Sequence, residues 1–292
     1  MFIAKVANYF GYGGEKKHCG NGSWYLGTIS MKLGKYRVVL EQDKSVVTNK
    51  TDYKGTIHTS VISVSGVKSY SEGESIVRDI CCLLSLASIS QVVAYQYEFE
   101  GHTKIISVRG EAMHFRPLLE IRDGKLIKSY LEQVWGSYRK LKRSRKLAEV
   151  IDMLTTCELP KLPLEIQLGQ IFIILENLKS TYAKYSGMPF VAGYFRAISN
   201  PPKQNPKKEP TFSFKDLLEK MFMSENMKPR INRIINLRNE IVHFGLSRKP
   251  YESLRKNYEY CHDIVREYLL RMLGYSGEFL IYSEACRKIG KI

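Results

Sequence analysis

No run of 18 apolar residues occurs in this 292-residue chain. Segments such as Ile171 to Leu175 are far too short to cross a bilayer, which excludes a helical membrane span. The first fourteen residues, MFIAKVANYFGYGG, hold no apolar stretch long enough for a secretory signal. Cysteine is sparse and scattered. Cys19, Cys81, Cys82, Cys157, Cys261 and Cys286 form no CxxC pair, which excludes the usual structural zinc sets. Cys81 and Cys82 lie inside an apolar run and read as buried thiols. The expectation is a reduced, cytoplasmic protein.

Familiar catalytic signatures are missing too. Gly11 to Gly22 is glycine-rich and basic but has no Gly-Lys-Ser/Thr triplet, so it reads as a turn or loop rather than a phosphate cradle. There is no GxSxG elbow, no kinase HRD or DFG set, and no HExxH zinc helix. The reading requires no metal and no cofactor. Acidic residues are also short: 29 Asp and Glu stand against 45 Lys and Arg, a formal charge of +16. Such an excess points to a polyanionic partner, nucleic acid or an anionic membrane surface. The cationic stretches carry too few apolar residues for a membrane-lying helix, so no membrane partner is expected.

What is present predicts an α+β protein. Apolar residues make up 44% and charged residues 25%, with Tyr 19 and Phe 12, a globular composition. Residues 1–122 read as a β-rich amino-terminal domain, with strands at Trp24–Ile29, Tyr36–Leu40, Thr56–Ile62 and Ile105–Val108. One helix interrupts them from Glu74 to about Tyr95, marked by Ile76, Ile80, Leu83, Leu84 and Ala87. Residues 123–159 read as a basic helical bridge. Over positions 125–150, eight basic residues face two acidic ones, and Arg139, Lys140, Lys142, Arg143, Arg145 and Lys146 suggest one strongly cationic helix face.

Residues 160–292 read as an all-α bundle of four amphipathic helices. Leu164, Leu168, Ile171, Leu175, Leu178 and Tyr182 form a buried stripe. Pro201 to Pro210 is a polar loop. Ser213 caps a helix starting near Phe214. The next helix spans Lys228 to about Phe244, with Gly245 ending it in a left-handed conformation. The last starts near Tyr251, carries Leu254, Tyr258, Cys261, Val265, Leu269 and Met272, and closes at Gly274.

Within the third of these helices lies Asn236-Leu237-Arg238-Asn239-Glu240-Ile241-Val242-His243-Phe244-Gly245. Imidazole exchanges protons near neutral pH, and guanidinium holds phosphoryl oxygens as negative charge builds. Asn239 precedes His243 by four residues and shares its helix face. Two other Arg–His pairs have similar spacing, Arg109…His114 and Arg255…His262. Only Arg238 is followed by Asn, sits in an apolar-patterned helix, and has its His at the helix end. A purely structural pair is the alternative, with His243 facing the helix carbonyls and Arg238 paired with Glu240 or with an acid of another helix.

The stretch Leu237 to Gly245, set within four helices, resembles a HEPN domain (higher eukaryotes and prokaryotes nucleotide-binding), of the ApeA-like branch. The resemblance is specific over about residues 160–290. It implies a homodimer through the carboxy-terminal bundle with two motifs facing each other, and a metal-independent ribonuclease of toxin or phage-defence type. Arg238 and His243 match the catalytic pair, and Asn239 the polar residue after the arginine. RNA is then the expected partner, gathered by Arg139, Lys140, Lys142, Arg143, Arg145 and Lys146, with an antitoxin or defence-system protein as a further one. The fold also occurs as a non-catalytic RNA- or nucleotide-binding, sensor or dimerisation module.

Overall fold

Alternating burial along the amino-terminal strands builds the first half of the molecule. The computed structural model describes residues 1–10, 13–18, 24–43, 56–108, 110–111, 116–159, 162–199, 202–284 and 288–292. Cys19, Arg109, His114 and Cys286 lie outside the described residues, as does half of the glycine-rich stretch; its described half, residues 13–18, holds a strand at Glu15–His18 where a turn or loop was expected. Strands β1 (Phe2–Ala7), β2 (Glu15–His18), β3 (Trp24–Leu33), β4 (Tyr36–Gln42), β5 (His58–Ser65), β6 (Val93–Phe99) and β7 (His102–Ile105) form one antiparallel sheet. Its order is β2-β3-β4-β5-β1-β6-β7, with β1 in the interior. Phe2, Ala4 and Val6, then Val38 and Leu40, then Ile62 and Val64, point to one buried face.

Helix α1 (Tyr70–Ser88) covers that face, packing on β1, β5 and β6. A side chain at Gly73 would overlap the Phe2 ring, so glycine lets helix and sheet meet there. The helix starts at an N-cap, Ser69, whose hydroxyl accepts from the Glu72 amide. It stops at Ile89, which turns left-handed at φ 46°. The chain re-enters the sheet four residues later, so the expected helix to Tyr95 is too long by the whole of that turn and the start of β6. The strand expected at Ile105–Val108 lies earlier, at His102–Ile105.

The bridge is two helices, α2 (Gly124–Leu141) and α3 (Leu147–Thr156). Lys146 adopts φ 51° between them, so the densest basic run forms a turn rather than a helix face. Helix α2 packs on β3, and α3 packs on α1.

Helix α4 (Leu164–Tyr185) is the hub of the remainder, touching α3, α5 (Phe214–Met223), α6 (Ile231–Phe244) and α7 (Tyr251–Met272). Leu168, Ile171, Leu175 and Leu178 are fully buried, as their spacing requires. A capping box starts α5, Ser213 and Asp216 each bonding the other's backbone. Gly245 ends α6 at φ 75°, and Gly274 follows α7 at the same φ. One hairpin interrupts the helices, β8 (Phe190–Val191) with β9 (Tyr194–Phe195), and a second antiparallel pair, β10 (Glu278–Ile281) with β11 (Lys288–Lys291), follows α7.

One continuous apolar core runs from Phe2 to Phe279. Buried charges join its parts. Arg266, 1% exposed, donates through Nη2 to the carbonyls of Pro117 (3.0 Å) and Leu280 (3.2 Å). Its Nη1 also lies 3.4 Å from His262 Nδ1. Burial, then the charges of Arg266 and Arg116, push the His262 pKa well below the usual histidine range. None of the described helices is long and apolar enough to cross a membrane.

Candidate active site

Helix α6 buries Ile231, Ile234, Leu237 and Ile241 against the bundle, which places Arg238 at the edge of that stripe. The Arg238 Nη2 atom donates to Glu176 Oε1 of α4 at 2.9 Å. Lys179 Nζ holds the other oxygen of Glu176, also at 2.9 Å. The guanidinium lies over the Phe214 ring with its carbon 4.6 Å from the centroid, and Lys179 Nζ stands 5.5 Å from the same ring. Arg238 Nη1 donates to Asn239 Oδ1 at 3.3 Å, a long bond. Its Nε is buried and has no partner among the described residues. The arginine is thus fixed in direction by a carboxylate, a ring and an amide, with its side chain 24% exposed.

The exposed end of α6 carries His243, which makes no side-chain hydrogen bond among the described residues. Asn239 bonds Arg238 rather than the imidazole. Glu240 does not pair with Arg238; it folds the following loop back onto the helix. Its carboxylate accepts from Ser247 Oγ (2.8 Å), the Arg248 amide (2.9 Å) and Lys249 Nζ. Those bonds, Lys249's first, hold its pKa down to about 2. Around His243 stand Val242, Phe244 and Leu246, 54%, 71% and 69% exposed. Three large apolar side chains are left in water within five residues, with the Arg248 guanidinium 5.9 Å from the Phe244 ring.

The six cationic residues expected to gather RNA divide into two groups. Lys140, Arg143 and Lys146 are exposed and hold no ion pair among the described residues. The other three are engaged. Lys142 Nζ binds both oxygens of Asp79, at 2.7 and 2.8 Å, and Arg139 Nη1 reaches the same carboxylate at 3.2 Å. Arg145 is 3% exposed, and this corrects its place on the expected surface. Its Nε donates to Thr181 Oγ1 (3.1 Å), and its Nη2 to the Leu178 carbonyl (3.0 Å) and the Tyr268 hydroxyl (2.8 Å). It ties the α2–α3 turn to α4 and α7.

Glu176, Lys179 and Phe214 are neighbours of the candidate site that sequence reasoning missed. A faint signal exists: Glu176 and Lys179 are three apart beside Leu175 and Leu178 of the buried stripe, and Phe214 directly follows the cap. Nothing in the sequence says that these residues meet Arg238. Among the described residues, no group of three or more His, Cys, Asp or Glu side chains is placed to hold a metal ion. Compared with known proteins, the chain matches no family model, no curated protein and no solved structure.

Proposed function

We propose that this chain is a metal-independent endoribonuclease of HEPN type that works as a homodimer. The observation that carries the reading is the end of α6. Arg238 is fixed in place by Glu176 and Phe214, and His243 stands free beside the exposed Val242, Phe244 and Leu246. At 100° per residue, positions 238 and 243 diverge by about 140° around the helix. A second copy docked on these exposed apolar side chains brings the complementary Arg and His to one phosphate.

In this reading His243 takes the proton from the ribose 2′-hydroxyl or delivers one to the departing 5′-oxygen. The 2′-oxygen attacks phosphorus and the bond to the 5′-oxygen breaks. Arg238 stabilises the charge that collects on the phosphoryl oxygens. The products are a 2′,3′-cyclic phosphate and a 5′-hydroxyl. The nucleophile belongs to the substrate, so DNA is inert. Lys140, Arg143 and Lys146 hold the RNA backbone through counterion release. A role as toxin or phage-defence effector, with a partner that restrains it, belongs to the same proposal.

One observation favours a second reading. The Arg238–Glu176 pair is also what a structural arginine makes, and a binding module would retain RNA without cutting it. A substrate with a single 2′-deoxy sugar at the mapped cut separates the two. The ribonuclease leaves that linkage intact, cuts the all-ribose strand, and sediments as a dimer. Retention of both strands without products rejects catalysis.

A further inference from the structure

Between α4 and α5 the chain builds a small structure beside Arg238. In the β8–β9 hairpin Phe190 pairs with Phe195 and Val191 with Tyr194. Ala192 and Gly193, at φ 53° and 82°, make its tight turn. Phe195 is buried with Ala183 and Leu217. Arg196 fastens the hairpin, donating through Nε to the Val191 carbonyl (3.2 Å) and through Nη1 to that of Glu209 (2.6 Å). The Glu209 carboxylate accepts from the amides of Ser199 (3.0 Å) and Lys203 (2.6 Å).

On this fastened hairpin two large rings stand in water, Phe190 at 57% and Tyr194 at 58% exposure. The Phe190 ring is steadied by Phe195, 4.9 Å between centroids. Glu209 is the sole acid of residues 186–213, and it is buried facing amides. Lys203, Lys207 and Lys208 are exposed. The surface offered to a ligand is therefore aromatic and cationic. It also adjoins the site. The Phe212 amide donates to the Phe195 carbonyl at 2.9 Å, and two residues on, Phe214 lies under Arg238. Along α4, Ala183 is seven residues from Glu176, about 10 Å.

We propose that this hairpin binds unpaired bases of single-stranded RNA flanking the cut, which stack on Phe190 and Tyr194 while Lys203, Lys207 and Lys208 hold phosphates. Its placement relative to the cut rests on the ribonuclease reading. The two rings sit on opposite faces of the ribbon, since Phe190 pairs with Phe195 and Tyr194 with Val191. A strand whose bases splay to either side fits such a wedge; one flat protein face does not. Stacking tolerates any base but requires it unpaired, so the hairpin selects single strands over duplex.

The test uses the full chain carrying His243→Ala, which keeps RNA uncut, and a fluorescein-labelled single-stranded 12-mer read by anisotropy. Adding Phe190→Ser and Tyr194→Ser weakens binding roughly 5- to 100-fold and leaves binding of a 12-base-pair duplex unchanged. Phe190→Tyr with Tyr194→Phe restores it. Replacing Lys203, Lys207 and Lys208 by Gln flattens the salt slope by up to about 2. Serine variants that melt with the parent and bind the 12-mer equally overturn the proposal, whatever the chain does to RNA. So does a change of mass in solution without a change in RNA affinity, which makes the hairpin a protein interface. Lost binding in the serine variants, beside an unmutated chain that never cuts, keeps the hairpin and rejects the ribonuclease.

Discussion

Two stretches of this chain concentrate positive charge, and they use it differently. In the α2–α3 turn, Arg139 and Lys142 clamp Asp79, and Arg145 disappears into three hydrogen bonds. At the end of α6, Arg238 keeps a partly open side chain, and the imidazole one turn on is bare. What separates them is the partner that another element supplies. A carbonyl and a hydroxyl of α4 and a hydroxyl of α7 hold Arg145 from two helices. Glu176 fixes Arg238 from one side only. Charge density along a sequence therefore says little about which cations face a ligand.

The comparison can be broken from the stability side. Arg145→Ala strands the Tyr268 hydroxyl and two α4 acceptors, and a loss of about 3 kcal/mol is expected in denaturant unfolding. Arg238→Ala, losing a half-exposed ion pair and one ring contact, costs about 1 kcal/mol. Equal losses would erase the distinction. Asp79→Asn comes next. It removes a carboxylate that holds two cations, for about 2 kcal/mol, and it frees Arg139 and Lys142, so RNA binding tightens at low salt. Unchanged binding would mean that those two cations face away from the RNA.

Two titrations sharpen the contrast further. His262 is kept neutral by burial in the native state, while the unfolded chain protonates it near pH 6.5. The unfolded state then binds more protons, so stability falls as pH drops below that value, by up to about 1.4 kcal/mol per unit. Unfolding midpoints between pH 7 and 5 measure the slope, and His262→Gln flattens it. The smallest effect belongs to Glu240, whose native pKa near 2 lies below its unfolded value of 4.5. Its stabilisation is complete above pH 4.5 and disappears as pH falls toward 2. At a partly exposed loop this amounts to about 0.5–1 kcal/mol. Amide exchange across residues 245–249 reads it directly, and Glu240→Gln speeds that exchange at neutral pH.

Local rules reached the parts of the molecule that local forces decide. The α4 and α7 stripes, the Ser213 cap and the Gly245 stop follow from helix periodicity and capping, and the structure has each of them. The failures sit where a long-range contact outweighs local preference. Ile89 and Lys146 turn left-handed without a glycine or proline to announce it, which hid β6 and joined α2 to α3. β1 escaped notice because its pairing partners lie more than fifty residues away. The Ala192-Gly193 turn is a weak hairpin signal. At the site, the motif was legible as chemistry, but its supports, Glu176 and Phe214, come from other helices and leave no mark near Arg238.

The most direct trial of the central claim is RNA cleavage by the pure chain in excess EDTA, beside a His243→Ala variant of unchanged melting temperature. Undiminished cleavage by the parent, 2′,3′-cyclic phosphate ends, and a drop of about 10²- to 10⁴-fold in the variant are expected. Cleavage that EDTA abolishes, or that survives in the variant, would contradict the account.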